Sequence, residues 1–391
     1  MNVNTMRAID RYVGIPLCWA TGIWSNLFRH RKQLAPEQWR SVLVMKFFGM
    51  GSVLLSSSFV SALHERLPNV KIIYLTFGAN LEMLEMLPQV SFRLAISTSS
   101  LHQFIYDSFR AWRLIQRESV DATFDLEFFS KFSTLVSFLS RAPVRVGYAL
   151  PTYWRRMHLT VPVPFGHNKH VTQVFLSQLQ AVGLPPQQTA SVTSLQASLI
   201  INACMERALN LQSNGFEIIA VNINAGPTSL ERRWPPGRFI EVCRVLLAER
   251  PGVRFVFTGS TEERGYVEEA LRHDVGVQHN SINAAGLLSL GELIALLERS
   301  SLLLTNDSGP MHIAAAMGRP VVALFGPESP AFYGPSAQSS LTIYKAISCS
   351  PCLNAYNAKL FVCPFDARCM KEISIAEVLA AVRSLRPALV T

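Results

Sequence analysis

At 391 residues and 49% hydrophobic content, the chain exceeds an ordinary single domain and holds apolar material for two cores, which excludes a disordered protein. Its formal net charge of +9 and pI near 9.3 point to an anionic partner: a nucleotide sugar, a phosphorylated glycolipid, an acidic bilayer or nucleic acid, the last ranked lowest because no zinc finger, RNA-recognition signature or basic zipper is present. Seven cysteines are too few for a disulfide scaffold and fit a reducing compartment.

Residues 1–40 differ from the rest. Arg7, Arg11, Arg29, Arg31, Lys32 and Arg40 surround the apolar run Tyr12 to Phe28, which Gly14, Pro16, Gly22, Ser25 and Asn26 interrupt. The run is shorter than the roughly 20 apolar residues a bilayer span needs, and no small-residue cleavage site follows it. It reads as a segment on the inner membrane surface, with Trp19, Trp24 and Phe28 at headgroup level, or else as a helical extension packed on the protein itself.

From Ser41 strands and helices alternate. Buried strands are expected at Ser41 to Phe47, Val70 to Thr76, Asp121 to Glu127 and Val144 to Tyr148, with helices near Val53 to Leu67, Leu101 to Glu118 and Phe129 to Arg141. After the first strand, Phe48 to Val53 reads FGMGSV. A dinucleotide fingerprint would need glycine at Leu54 and an acidic residue near Leu75 to Phe77, so hydride transfer is poorly supported. Gly49 and Gly51 either let the backbone approach a ligand or form a tight βα turn. Beyond the first domain, His167, Lys169 and His170 are either an acceptor-phosphate cluster or a surface loop.

A second series follows Pro185 to Asn214, with strands at Glu217 to Ile223, Val253 to Gly259, Leu302 to Thr305 and Pro320 to Gly326. Two such series predict an α/β protein of two doubly wound, Rossmann-like domains facing across a cleft, divided as 1–40, 41–200 and 201–391, with ligands at the carboxyl ends of strands. Thr305 to Pro330 is the richest segment. Its strand runs into Asp307, Ser308 and Gly309, and Pro310 suits the first turn of a helix. Free amides there, with the positive end of the helix dipole, suit a diphosphate, and His312 in the first turn faces the same space. The bland reading is an αβ turn with a capping Ser or Asp. Cys349, Cys352, Cys363 and Cys369 either close a tetrahedral zinc site or pack as reduced thiols; the irregular spacing speaks for thiols, and no metal is assigned.

KFFGMGSVLLSSSFVSALHERLP (Lys46 to Pro68), APVRVGY (Ala142 to Tyr148), NINAGPTSLERRWPPGRF (Asn222 to Phe239), the long block Asn283 to Pro330, and CSPC with the later RCM resemble glycosyltransferase family nine, the heptosyltransferases. The long block is the specific one. The resemblance implies a GT-B fold with an amino-terminal acceptor domain, a carboxy-terminal donor domain and no cofactor or metal. It also implies ADP-activated heptose as donor, the inner core of lipopolysaccharide as acceptor, and work at the inner face of the bacterial inner membrane.

Carried onto this chain, the resemblance gives Asp307, Ser308, Gly309 and His312 the donor diphosphate and adjoining sugar. Arg232 stands where the family has lysine and neutralises the leaving diphosphate, with Arg233 beside it. Glu262 or Glu263 contacts the ribose, or is merely a solvated helix residue. The departure is Ser52, after Gly51, where the family has its presumed aspartate base. A serine hydroxyl is a poor base. Glu127, at the end of its strand with Asp125 two residues earlier, is the substitute candidate; otherwise it caps the next helix or pairs with Lys131. The expected function is inverting transfer of a heptose or related sugar to a glycolipid acceptor. The alternatives are a nucleotide-sugar-binding protein impaired by Ser52 and a sugar-nucleotide epimerase.

Overall fold

The computed structural model describes residues 12, 14–27, 34–149, 153–186, 192, 193, 195, 196, 198–209, 216–226, 229–357 and 362–385. The chain forms two compact units, Met1–Thr193 and Ser194–Thr391.

The first unit opens with helix α1 (Gly14–Leu27) and continues as β1 (Ser41–Met45), α2 (Met50–Leu55), α3 (Ser57–Arg66), β2 (Lys71–Phe77), α4 (Leu81–Glu85) and β3 (Phe92–Ile96). Then follow α5 (Leu101–Arg117), β4 (Ala122–Asp125), α6 (Lys131–Leu139), β5 (Val144–Ala149), α7 (Tyr153–Arg156), β6 (Val161–Pro164) and α8 (Val171–Ala181). Its six strands are all parallel, in the order β3-β2-β1-β4-β5-β6. Leu43, Met45, Ile73 and Leu75 point to one face and pack under Ala111 and Ile115 of α5, with Phe132 and Val136 of α6 beside them. Alternate residues serve the other face, where Phe124 meets Phe59 of α3. Burial on both faces is why these strands read as unbroken apolar runs.

The expected helix Val53 to Leu67 is two helices broken at Ser56. The Ser56 hydroxyl donates to the Val53 carbonyl at 2.7 Å and meets Tyr74 Oη at 2.7 Å, so a side chain competes with the helical backbone at the break. Helix α1 packs against α6 and α7, with Cys18 buried and Thr21 Oγ1 2.9 Å from His158 Nε2. Leu17 and Trp19 lie exposed on its other side. Residues 1–11 and 28–33, and with them Phe28 and most of the basic side chains expected at a membrane, lie outside the described residues, as does the Trp24 side chain. No described helix is long and apolar enough to cross a membrane.

The second unit comprises α9 (Leu199–Ala208), β7 (Glu217–Asn222), α10 (Pro236–Glu249), β8 (Val253–Phe257), α11 (Arg264–Leu271), α12 (Val275–His279) and β9 (Ser281–Asn283). It continues through α13 (Leu290–Arg299), β10 (Leu302–Asn306), α14 (Gly309–Ala316), β11 (Val321–Phe325), α15 (Pro330–Tyr333), β12 (Ser340–Tyr344), α16 (Arg368–Lys371) and α17 (Ile375–Leu385). Its sheet, also parallel, runs β12-β11-β10-β7-β8-β9. Ile219, Val221 and Ile223 face a core closed by Trp234, Phe239, Met370 and Val382, while Ile218 faces Met205 and Leu296. In each unit the fourth strand returns beside the first, so the winding direction reverses between β1 and β4 and between β7 and β10. Chain segments leaving those strands diverge there and leave a crevice at the carboxyl ends, the place where doubly wound sheets bind ligands.

Candidate functional site

In the second unit the crevice is lined by polar residues at the ends of β7 and β10. Thr305 pairs in register with Asn222. Asn306, fully buried, donates to the Ile223 carbonyl at 2.9 Å and accepts the Trp234 amide at 3.0 Å, which ties the segment after β7 down onto β10. Trp234 is also buried, its indole N–H donating to the Ile373 carbonyl at 3.0 Å, and Pro236 starts α10. The anchored Trp-Pro-Pro run explains why the two arginines before it are fixed. Gly259, after β8, lacks a Cβ because one would come within 2.6 Å of Asn224 Nδ2, which donates to the Thr258 carbonyl at 2.9 Å.

Arg232 reaches the start of α14. Its Nη1 donates to Asp307 Oδ2 at 3.1 Å and to the Asp307 carbonyl at 3.2 Å, and its Nη2 to the Ala225 carbonyl. Its buried Nε has no partner among the described residues. Ser308, the N-cap of α14, turns its hydroxyl to Thr305 Oγ1 at 2.8 Å and accepts Asn222 Nδ2 at 3.3 Å, so among the described residues no side chain caps the first-turn amides. The Asp307 amide is already used, donating to the Leu324 carbonyl at 3.0 Å, so it is not among the free amides expected there. Uncapped amides of the first turn carry the positive end of the helix dipole, and a guanidinium stands beside them: together these are the donors an anionic oxygen needs. His312 lies buried in the same first turn.

Arg233 points toward α11, with its guanidinium 4.3 Å from the Tyr266 ring centroid and Nη2 3.4 Å from Glu263 Oε1. The other Glu263 oxygen accepts the Ser260 amide at 2.9 Å in a capping box. Both Glu263 oxygens therefore have partners, while Glu262 is exposed. Burial raises the Tyr266 hydroxyl above its ordinary value, and Arg233 opposes that.

The equivalent crevice of the first unit holds two buried ion pairs. Lys46, at the end of β1, donates through Nζ to Glu127 Oε1 at 2.8 Å, and the amides of Phe47 and Phe48 donate to that same oxygen at 2.5 and 2.9 Å. Asp125, at the end of β4, accepts Arg155 Nη2 at 2.7 Å, Ser133 Oγ at 2.7 Å and the Glu127 amide at 3.0 Å. Burial pushes Asp125 up to about 6, against the downward pull of Arg155 and Ser133. Glu127 is thus held by Lys46 and two backbone amides, and its Oε2 accepts no hydrogen bond among the described residues. The same backbone leads through Gly49, at φ +85°, into α2, where Gly51 is buried and Ser52 lies half-buried in the first turn.

Sequence reasoning assigned no role to Lys46 or Arg155. Lys46, a charge ending an otherwise apolar strand, carried a readable signal; Arg155 carried none, because only the fold brings Tyr153–Arg156 beneath Asp125. His170 caps α8 by accepting the Thr172 amide, and His167 packs edge-on against Phe165, its pKa lowered by burial. All seven cysteines are free thiols, and burial pushes Cys369 up to about 11. Among the described residues no cluster of three metal-ligating side chains forms.

A family model described as glycosyltransferase family 9 (heptosyltransferase) matches residues 108–360. The chain is 35% identical over 113 residues to lipopolysaccharide heptosyltransferase 2 of Escherichia coli (strain K12), a stretch that covers 29% of this chain and only 32% of that relative, about a third of its length. Among solved structures, a glycosyl transferase family 9 protein from Veillonella parvula superposes with TM-score 0.74 at 22% identity, covering 90% of this chain and 99% of its own. The E. coli ADP-heptose lps heptosyltransferase II superposes with TM-score 0.70 at 21% identity, covering 88% of this chain and 98% of its own. At such identities the likeness establishes the fold, two Rossmann-like units of GT-B type.

Proposed function

Because the chain belongs to glycosyltransferase family 9, the heptosyltransferases, we propose that it moves a heptose or related sugar from an ADP-sugar to a glycolipid acceptor of the lipopolysaccharide inner core. The observation that carries this reading is Arg232 beside the uncapped start of α14 at the winding reversal of the second unit. A nucleotide diphosphate fits there by chemistry: the Asp307 carboxylate gives up its share of Arg232 to a phosphate oxygen, and first-turn amides near Ser308 and Gly309 take another. The ADP-heptose named for the solved E. coli relative favours adenine as the base.

In the proposed step an acceptor hydroxyl oxygen attacks the anomeric carbon from the face opposite the diphosphate. The bond from that carbon to the phosphate oxygen breaks, ADP leaves with the electron pair, and the configuration inverts. Arg232 stabilises the charge that develops on the leaving oxygen, with Arg233 as a second cation, so positive charge comes from side chains and the proposed step uses no metal. The hydroxyl proton passes to Glu127 Oε2, while Ser52, unable to act as a base, holds the acceptor hydroxyl. His312 supports the sugar side of the site, and Glu263 acts by positioning Arg233. The proposed setting is the cytoplasmic face of the inner membrane, where a glycolipid acceptor would be met.

A specific observation favours a second reading, binding without turnover: Ser52 replaces the acid, and one Glu127 oxygen already holds three hydrogen bonds. ADP release from ADP-heptose, measured with and without an inner-core acceptor, decides between them. The transferase reading expects acceptor-dependent release, lowered about 10²- to 10⁴-fold in Glu127→Gln with ADP binding retained. Binding of ADP-heptose by the wild type without any release would leave only the second reading.

A further inference from the structure

We propose that the outer face of α5 is a docking surface for an anionic phospholipid bilayer. The helix carries three rows of side chains. Phe104, Ala111 and Ile115 turn inward onto the first sheet and α6. Ile105, Phe109 and Trp112, spaced one helical turn apart, stay 58%, 55% and 37% exposed, and Tyr106 beside them is 62% exposed. Arg110, Arg113 and Arg117 form the adjoining row, all exposed, and none makes an ion pair among the described residues. The carboxylates nearby are engaged: Asp107 accepts the Ser97 amide at 2.9 Å and the Gln103 side chain at 3.0 Å, and Glu118 pairs with Lys71 at 3.1 Å. Tyr106, Phe109 and Leu114 together with the three arginines line a shallow groove of about 430 Å³.

Exposed apolar residues scattered singly need no explanation, but a contiguous aromatic row on one helix does. An aromatic and aliphatic row flanked by an unbroken arginine row is the pattern of a helix lying in a membrane interface, where rings enter the headgroup boundary and guanidinium groups meet lipid phosphates. Charge complementarity therefore selects the occupant: an apolar protein partner leaves three arginines unanswered, whereas an anionic bilayer answers both rows. The surface continues beyond α5. Trp112 Nε1 and Gln116 Nε2 donate to the Leu139 carbonyl at the end of α6, at 3.3 and 2.9 Å, and Leu139 is itself exposed. Helix α1, packed on α6, exposes Leu17 and Trp19. The inference goes beyond the proposed reaction and is read by binding alone, so it stands or fails apart from sugar transfer.

The test is flotation of the full chain with vesicles of phosphatidylcholine alone or with about a third phosphatidylglycerol, at low and physiological salt. Each arginine near an anionic surface contributes a factor of about five, so Arg110→Gln/Arg113→Gln/Arg117→Gln is expected to weaken partition about a hundredfold. Ile105→Ser/Phe109→Ser is expected to weaken it on anionic vesicles as well, and both variants should unfold at the wild-type temperature because the altered side chains are exposed. Trp19→Ser serves as the control for α1 and should retain most of the binding. Equal wild-type binding to neutral and anionic vesicles, wild-type partition in both α5 variants, or loss confined to Trp19→Ser would each overturn the proposal.

Discussion

The two sheets share one strand order, yet the crevices where their winding reverses are built to different ends. In the first unit, Arg155 with Asp125 and Lys46 with Glu127 are sealed: side-chain exposures are 0% and 1% for one pair and 4% and 6% for the other. In the second, Arg232 with Asp307 and Arg233 with Glu263 are reachable, at 11% and 7% and at 18% and 15%. The Arg155–Asp125 pair holds backbone in place, its carboxylate also taking Ser133 Oγ and the Glu127 amide, whereas Glu127 is fixed through one oxygen and keeps Oε2 without a hydrogen bond among the described residues. A reachable pair beside uncapped amides can exchange its internal partner for an external anion. The same topology thus yields a rigid wall, Arg155 with Asp125, behind the proposed base in one unit and a proposed anion grip in the other, and the exposure of the arginine separates wall from grip.

Breaking the wall should have the largest effect. Arg155→Met leaves Asp125 buried without its cation, and losses of about 3–5 kcal/mol are usual when one partner of a buried pair is removed. Urea unfolding of the full chain measures this, and an unchanged first transition would show that the pair is no wall. A smaller effect concerns pH. Asp125 in the folded chain titrates at about 6, above an unfolded aspartate near 3.9, because burial outweighs Arg155. The unfolded chain therefore loses its proton first, and the stability linked to this carboxyl is present at low pH and declines as pH rises from about 4 to about 6. Unfolding of wild type and Asp125→Asn across that window should differ in slope; parallel curves would place the titration elsewhere. The smallest stability effect belongs to the grip, where Arg232→Ala should cost only about 1 kcal/mol in urea, because its pair is partly solvated.

The legible part of the fold was the buried part. All eight expected strands exist, and each lies inside a sheet: β1, β2, β4 and β5 in the first unit, β7, β8, β10 and β11 in the second. The four unexpected strands, β3, β6, β9 and β12, are the four sheet edges. Edges cover one flank only, so their residues mix: β12 has half-buried and exposed positions and no buried one, and β6 carries Pro162 and Pro164, which remove amide donors that an inner strand needs. The Asp307 to Gly309 turn was readable because strand, polar turn and helix are contiguous there. The partnerships of Glu127 were not, because Lys46 and the Phe47 and Phe48 amides lie some eighty positions away and meet it only when β4 inserts beside β1.

The central claim is that Arg232 and the start of α14 hold a nucleotide diphosphate. Titration calorimetry of ADP against wild type and Arg232→Ala tests it most directly. Losing a charge-assisted pair of hydrogen bonds should weaken ADP binding about 10- to 100-fold while the thermal unfolding temperature without ligand falls by only about 2–4 °C. An affinity for ADP that is the same in both proteins would contradict the account.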